Sequence, residues 1–213
     1  MTTWAIVPIK PLNRSKSRLS PVLTGEQRQA LSQKMLEMTL TTLKQVKAIS
    51  GVLAVSRDSK ALTLARRFDV QTVQESGAPE LNDALTRATQ AVSSWNATSV
   101  LILASDIPLM TVQDIEGILS LATHADEIVV IATDRREEGT NALLVSPPGL
   151  IPYQYGTGSF RRHVEEAQKA GAAVEVYRSP TMALDVDMPE DLALYREIAS
   201  QQKLSELAWL GSL

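Results

Sequence analysis

Apolar residues in this chain come in short unbroken runs, separated by longer stretches with helical spacing. Trp4-Ala5-Ile6-Val7-Pro8-Ile9 is apolar throughout and rich in β-branched residues, which predicts a strand buried on both faces. Val100-Leu101-Ile102-Leu103-Ala104 is the strongest run of this kind. Val52 to Val55, Val70 to Val73, Ile128 to Ala132, Leu143 to Val145 and Val174 to Tyr177 read as further strands, with Gly51 ending the connection before the second. Between the runs the period changes. Leu36, Leu40, Leu43 and Val46 fall at helical spacing behind Thr24 and Gln27, which form a capping box. Ala61 to Arg67, Leu81 to Trp95, a segment opened by Thr111 and Asp114, Ser159 to Ala170 closed by Gly171, and a last segment entered through Pro189 read as the other helices.

Strand and helix alternate for most of the length. That order predicts a single-domain α/β/α sandwich over residues 1–200, with a mostly parallel sheet and helices on both faces. A tail over residues 201–213 is expected to be helical or to pack on a neighbour, and Leu207, Trp209 and Leu210 point to a homodimer interface. Ligands of such sheets bind beyond the carboxyl ends of the strands. The loops at Lys10, Glu75, Asp106 and Asp134 all follow strands and are expected to converge there.

Composition narrows the function. With 213 residues and 44% hydrophobic content, one sizeable core needs no staples, and the Cys count of 0 removes disulfides and thiolate zinc sites. This fits a reducing cytoplasm. A net charge of −3 argues against a broad nucleic-acid surface, and no apolar run is long enough to span a bilayer. No signal peptide is expected before Trp4. The only His residues are His124 and His163, too few for a histidine-built metal centre. His163 is expected to cover a helix surface rather than act in catalysis.

Two nucleotide-binding signatures are missing. No Gly-x-Gly-x-x-Gly follows the first strand, and no Gly-x4-Gly-Lys-Ser/Thr occurs. The first strand is followed instead by Lys10, Arg14, Lys16 and Arg18, four cations in nine residues. A loop of that kind can wrap a triphosphate; it can equally be a solvated basic loop. Asp106 stands just past the most apolar strand, where a carboxylate is costly unless something uses it. A hard cation such as Mg²⁺ would use it; a turn residue before Pro108 is the plainer alternative. In Asp185-Val186-Asp187 the two carboxylates share one face of an extended segment, or Asp187 caps the next helix. Gly139-Thr140-Asn141 precedes a strand and Tyr155-Gly156-Thr157-Gly158-Ser159-Phe160 precedes a helix. Ser159 and the N–H groups of that helix are expected to receive an anion, unless Ser159 is only an N-cap.

These segments, in order, resemble the guanylyltransferases of coenzyme F-420 biosynthesis. The resemblance runs from Trp4 to about Tyr195. It rests on Val7-Pro8-Ile9-Lys10-Pro11, Lys16-Ser17-Arg18-Leu19, Leu81-Asn82-Asp83-Ala84-Leu85, Ser105-Asp106-Ile107-Pro108-Leu109, Gly139-Thr140-Asn141-Ala142-Leu143, Tyr155 to Phe160 and Ala183-Leu184-Asp185-Val186-Asp187. It implies a fold similar to nucleotide-diphospho-sugar transferases and transfer of GMP from GTP to 2-phospho-L-lactate, phosphoenolpyruvate or 3-phosphoglycerate, phosphoenolpyruvate being favoured. It also implies Mg²⁺ on Asp106, Asp185 and Asp187, and the phosphoacid on Thr140, Gly156 and Ser159. Lys10, Arg14, Lys16 and Arg18 are then expected on the triphosphate, with Lys10, Arg18 and Asp106 in the catalytic role. The backbone near Pro8, Glu75 and the Asn82 region are candidates for reading guanine. The rival expectations are another nucleotidyltransferase, a glycosyltransferase using Asp185-Val186-Asp187, or a nucleotide-binding module without catalysis.

Overall fold

A computed structural model describes residues 1–76 and 80–201. The tail expected to be helical, and the interface expected at Leu207, Trp209 and Leu210, lie outside the described residues. Among these residues the strands β1 (Thr3–Ile9), β2 (Ile49–Ser56), β3 (Gln71–Gln74), β4 (Ser99–Leu103), β5 (Ile128–Thr133), β6 (Thr140–Ser146) and β7 (Ala173–Tyr177) form one sheet. Its order is β3-β2-β1-β4-β6-β5-β7. Every pairing is parallel except the two made by β6. The helices are α1 (Gly25–Gln45), α2 (Ser59–Arg66), α3 (Leu81–Ser94), α4 (Val112–Leu121), α5 (Ser159–Lys169), the single turn α6 (Pro180–Ala183) and α7 (Pro189–Gln201).

Alternation along β1 divides the interior. Ala5, Val7 and Ile9 join the core that also takes Leu36, Leu40 and Leu43 of α1 and Ile115 and Ile118 of α4. Ile6 faces the opposite core, with Leu85, Ala88 and Val92 of α3 and Ala167 of α5. Both faces of the sheet are therefore covered, which is why its strands need no polar side. A third cluster packs Leu192 and Tyr195 of α7 onto Leu31 and Met35 of α1, with Leu19, Leu184 and Val186 between them. This cluster brings the end of the chain back across the loop after β1.

Local signals in the sequence account for most helix ends. Thr24 accepts from the Gln27 N–H at 3.2 Å while the Gln27 side chain accepts from the Thr24 N–H at 2.8 Å. Thr111 and Asp114 form the same reciprocal pair. At the end of α5 the Gly171 N–H reaches Gln168 O and the Ala172 N–H reaches Ala167 O, a Schellman closure. One expectation is corrected. Gly51 does not end a connection; it lies inside β2, where a Cβ would stand 2.6 Å from the Trp4 indole. The glycine makes room for a ring lying across the strand.

The chain passes from β1 outward through β2 to β3, then returns to the other side of β1 with β4. The direction of winding reverses there, and such a reversal opens a crevice at the carboxyl ends of the two strands. β1 stays paired with β2 to Ile9↔Ser56 but with β4 only to Ile6↔Ile102. The two strands part at Val7, and Pro8, Lys10 and Asp106 all follow that point. Because β6 runs backwards, its first residue, Thr140, lies at the same edge as the last residues of its neighbours.

Candidate active site

The loop after β1 is pinned at alternate places and displays its cations between them. The Leu12 N–H donates to Asp58 Oδ2 at 2.9 Å, and Asp58 Oδ1 caps α2 through the Lys60 N–H. Ser15 Oγ donates to Leu12 O and shares a 2.6 Å hydrogen bond with Ser32 of α1. Leu19 is fully buried under α7. Lys10, Arg14 and Arg18 are left exposed. Asp58 was not legible as part of this site; its one local signal is a carboxylate directly before a helix.

Lys16 behaves differently from its neighbours. Its backbone is left-handed, with φ 55°, a conformation that costs a side-chain-bearing residue roughly 1 kcal/mol and collects at functional sites. Its side chain is only 5% exposed, and Nζ donates to Asp106 Oδ2 at 2.6 Å and to Asp187 Oδ1 at 2.7 Å. Burial alone would lower the lysine pKa. The two carboxylates outweigh it and hold the group above its ordinary value. Burial likewise pushes Asp187 up, and Lys16, together with Lys10 and Arg18, more than offsets this, so that Asp187 sits low. Three loops separated by 90 and 171 residues thus meet on one ammonium group.

The acidic segment is held by its backbone. The Val186 N–H donates to Asp106 O at 3.1 Å, and the Val186 side chain is buried in the third cluster. Asp185 and Asp187, on either side of it, turn the other way, as an extended segment requires. The capping reading of Asp187 does not hold. The turn into α7 is stabilised by Asp191, which accepts from the Met188 N–H at 2.9 Å and the Asp187 N–H at 3.3 Å, so Asp187 is not spent on the helix end. α4 is capped by Thr111, not Asp106. Upstream, Asp114 accepts from Thr181 at 2.7 Å, and the Asn141 amide donates to Met182 O at 2.8 Å. Burial raises Asp114, but hydrogen bonds from Ser179, Thr111 and Thr181 bring it below the usual range.

Asp185 is pushed up to about 6, first by burial and then by Asp106 and Asp187. Three hard carboxylates repelling one another is a donor set that suits a divalent cation. As the side chains stand, Lys16 draws two of them to itself. Among the described residues no three His, Asp or Glu side chains converge on a single metal position. The chemistry of the donors fits the ion; their present arrangement serves the lysine.

Across the edge lies a second group, built from neutral atoms. Thr140 Oγ1 is 3.0 Å from His163 Nδ1 and accepts from Ser159 Oγ at 3.2 Å. The Gln154 N–H donates to His163 Nε2 at 3.0 Å. His163 is fully buried, which corrects the expectation that it covers a helix surface: the face of α5 that carries Ser159, His163 and Ala167 is turned inward. Burial and then Arg162 push His163 down to about 4, in spite of Glu166. Ser159 is not the N-cap of α5; that position is Gly158. The helix N–H groups are also less free than expected, since Ser159 N donates to Gly156 O and Phe160 N to Glu138 O. Gly156 has φ +121°, and a Cβ there would lie 3.1 Å from an Arg162 nitrogen, so this turn requires glycine.

The guanine candidates separate. Asn82 uses both ends of its amide on Tyr155, accepting from its N–H at 2.8 Å and donating to its O at 3.3 Å. It ties α3 to the glycine loop rather than offering a free group. Glu75 has one carboxylate oxygen buried with no hydrogen-bond partner among the described residues, an arrangement that is costly until a donor arrives. Two further groups escaped sequence reasoning, the buried and unpartnered Arg162 Nε and Tyr155 hydroxyl. Neither carries a pattern in sequence that marks it.

The family model described as "Guanylyl transferase CofC like" matches residues 3–199. A phosphoenolpyruvate guanylyltransferase of Conexibacter woesei is 36% identical over 95% of this chain and 91% of its own length. A 2-phospho-L-lactate guanylyltransferase of Methanothermobacter thermautotrophicus is 33% identical over 90% of this chain and 83% of its own. Among solved structures, one described as a nucleotide-diphospho-sugar transferase from Desulfovibrio desulfuricans superimposes with a TM-score of 0.72 at 18% identity, over 92% of this chain and 88% of that one. The fold is thus that of the nucleotide-diphospho-sugar transferases. No described helix is long and apolar enough to cross a membrane.

Proposed function

The chain belongs to the CofC-like guanylyl transferase family, and from that premise we propose that it transfers GMP from GTP to a small phosphorylated carboxylic acid, releasing pyrophosphate, in the manner of coenzyme F-420 biosynthesis. The observation that carries the reading is the meeting of Lys16, Asp106 and Asp187 at the sheet's switch point, inside a family match that spans the chain. Phosphoenolpyruvate is the favoured acceptor, since a 36% identical relative bears that name.

The nucleophile is a phosphate oxygen of the acceptor, already anionic near neutral pH, so the reaction asks for no general base. It attacks the α-phosphorus of GTP in line; the bond to the β-phosphate oxygen breaks, and its electron pair leaves with pyrophosphate. The difficulty is repulsion between two polyanions and the charge developing on the leaving group. Lys10, Arg14 and Arg18 line the triphosphate from the exposed side, and Lys16 meets it from below. Asp106, Asp185 and Asp187 would hold Mg²⁺, which supplies electrostatic stabilisation to the phosphates when bound. Glu75 accepts from guanine N1–H and N2–H₂, and the Thr140–Ser159–Gly156 group holds the phosphoacid.

The test is pyrophosphate release with GTP and Mg²⁺ against phosphoenolpyruvate, 2-phospho-L-lactate and 3-phosphoglycerate, with ATP and CTP as controls. Release with GTP and one acid is expected. Release with CTP in place of GTP, or silence with every acid from folded protein, overturns the reading.

A further inference from the structure

Each proton in the buried group beside Thr140 can be placed by elimination. The Gln154 backbone N–H can only donate, so His163 Nε2, 3.0 Å away, accepts and is bare. A neutral imidazole with a bare Nε2 carries its hydrogen on Nδ1. Nδ1 therefore donates to Thr140 Oγ1 at 3.0 Å. Ser159 Oγ donates to the same oxygen at 3.2 Å. A hydroxyl oxygen has two lone pairs and one hydrogen. Both lone pairs of Thr140 are thus occupied, and its hydrogen is left over. Among the described residues no acceptor takes it. Thr140, Ser159 and His163 are all buried, so the arrangement is not one that bulk water rotates at will.

We propose that His163 is a positioning residue: by donating from Nδ1 it fixes the Thr140 hydroxyl as a donor aimed at the acceptor's anionic oxygen. The proposal rests on the reading of Thr140 as a ligand of the phosphoacid. A hydroxyl free to rotate would meet an anion as a donor for only part of the time. One locked by two incoming hydrogen bonds is oriented before the acceptor arrives, and orientation made in advance appears as affinity. The ring is itself located, because Tyr155 packs on it edge-on with centroids 4.9 Å apart, and Tyr155 is fastened to Asn82.

Two substitutions separate positioning from scaffolding. His163→Gln keeps an acceptor near the Nε2 position for the Gln154 N–H and withdraws the donor to Thr140. His163→Asn keeps an amide N–H near the Nδ1 position and gives up the bond to Gln154. In the pyrophosphate-release assay, His163→Gln is expected to raise the acceptor KM on the order of 10-fold, the worth of one hydrogen bond to a charged group, with the GTP KM unmoved. His163→Asn is expected to restore most of that loss. Thr140→Val is expected to reproduce the His163→Gln effect, and the double variant to be no worse than Thr140→Val alone. Multiplying effects in the double variant, or equal losses in His163→Gln and His163→Asn that follow their melting temperatures, overturn the positioning role while leaving Thr140 a ligand. An unchanged acceptor KM in Thr140→Val removes Thr140 from the acceptor site and the proposal with it. If His163→Gln does not fold, His163→Asn against Thr140→Val decides it: a near-normal acceptor KM in His163→Asn beside a raised one in Thr140→Val supports the role, and equal rises in both overturn it.

Discussion

On the β1 side of the sheet edge the chain presents cations, three of them exposed on a loop of two short turns and the fourth, Lys16, buried between two carboxylates. On the β6 side it presents neutral hydroxyls and an imidazole, all buried, beside an exposed glycine turn. A triphosphate carries several charges spread over a flexible chain. Exposed arginines and lysines suit it, because they stay solvated until it binds and need no exact placement. A small phosphoacid differs from its competitors by one methyl or hydroxyl group. Discriminating at that scale needs donors fixed in place, and fixed neutral donors can be buried where charges cannot. The three carboxylates and Lys16 stand between the two regimes, charged and partly buried at once.

The sharpest way to break this contrast is at its centre. Asp106→Asn is expected to lower turnover on the order of 10²-fold or more, with the fold retained because Lys16 keeps Asp187; near-normal turnover ends the metal assignment. Lys16→Met should lower turnover between about 10- and 10²-fold and reduce stability by about 2 kcal/mol, a buried-pair loss discounted for the partial exposure of the acids. Melting with and without Mg²⁺ checks it, since the added cation should narrow the deficit only if the three carboxylates bind it.

On the neutral side the expected signature is a pH slope. His163 sits at about 4 when folded and near its ordinary value when unfolded. Between those values the unfolded chain takes up a proton that the folded chain refuses. The His163 share of stability present above about pH 6.5 is therefore lost as pH falls, by about 2 kcal/mol between pH 7 and 5, against an opposite contribution from Asp185, whose raised value favours the folded chain as pH falls through about 6. Urea titrations at the two pH values measure the slope, and a His163→Phe variant that keeps it would assign the loss elsewhere. Gly156→Ala should raise the acceptor KM roughly 10-fold, through an unfavourable φ and contact with Arg162, and leave the GTP KM alone. Smallest of all, Arg14→Gln should raise the GTP KM about 3-fold at low salt and less at high salt, since an exposed charge is screened. A salt-independent effect would make Arg14 part of the buried machinery instead.

Much of the fold was legible because it is written at short range. Apolar runs marked the buried strands, and the boxes at Thr24 and Thr111 and the glycine at 171 marked helix ends, all interactions within about five residues. Gly51 was misread because its reason, the Trp4 ring, belongs to another strand. The site divided in the same way. Asp106, Asp185 and Asp187 were conspicuous as carboxylates at the ends of apolar segments. His163 was passed over because nothing in its neighbours says which face of α5 turns inward.

By itself the sequence determined the α/β class, the basic loop, the acidic pair and the family, since each depends on residue types and on spacing along the chain. Tertiary structure alone decided that Lys16 rather than Arg14 or Arg18 lies between the acids, that Asn82 ties down a loop, and that His163 fixes the proton on Thr140. Those outcomes depend on which groups from distant segments end within 3 Å of each other once water is excluded. Hydrogen-bond direction and charge balance at that range are properties of the packed interior, and no local pattern encodes them.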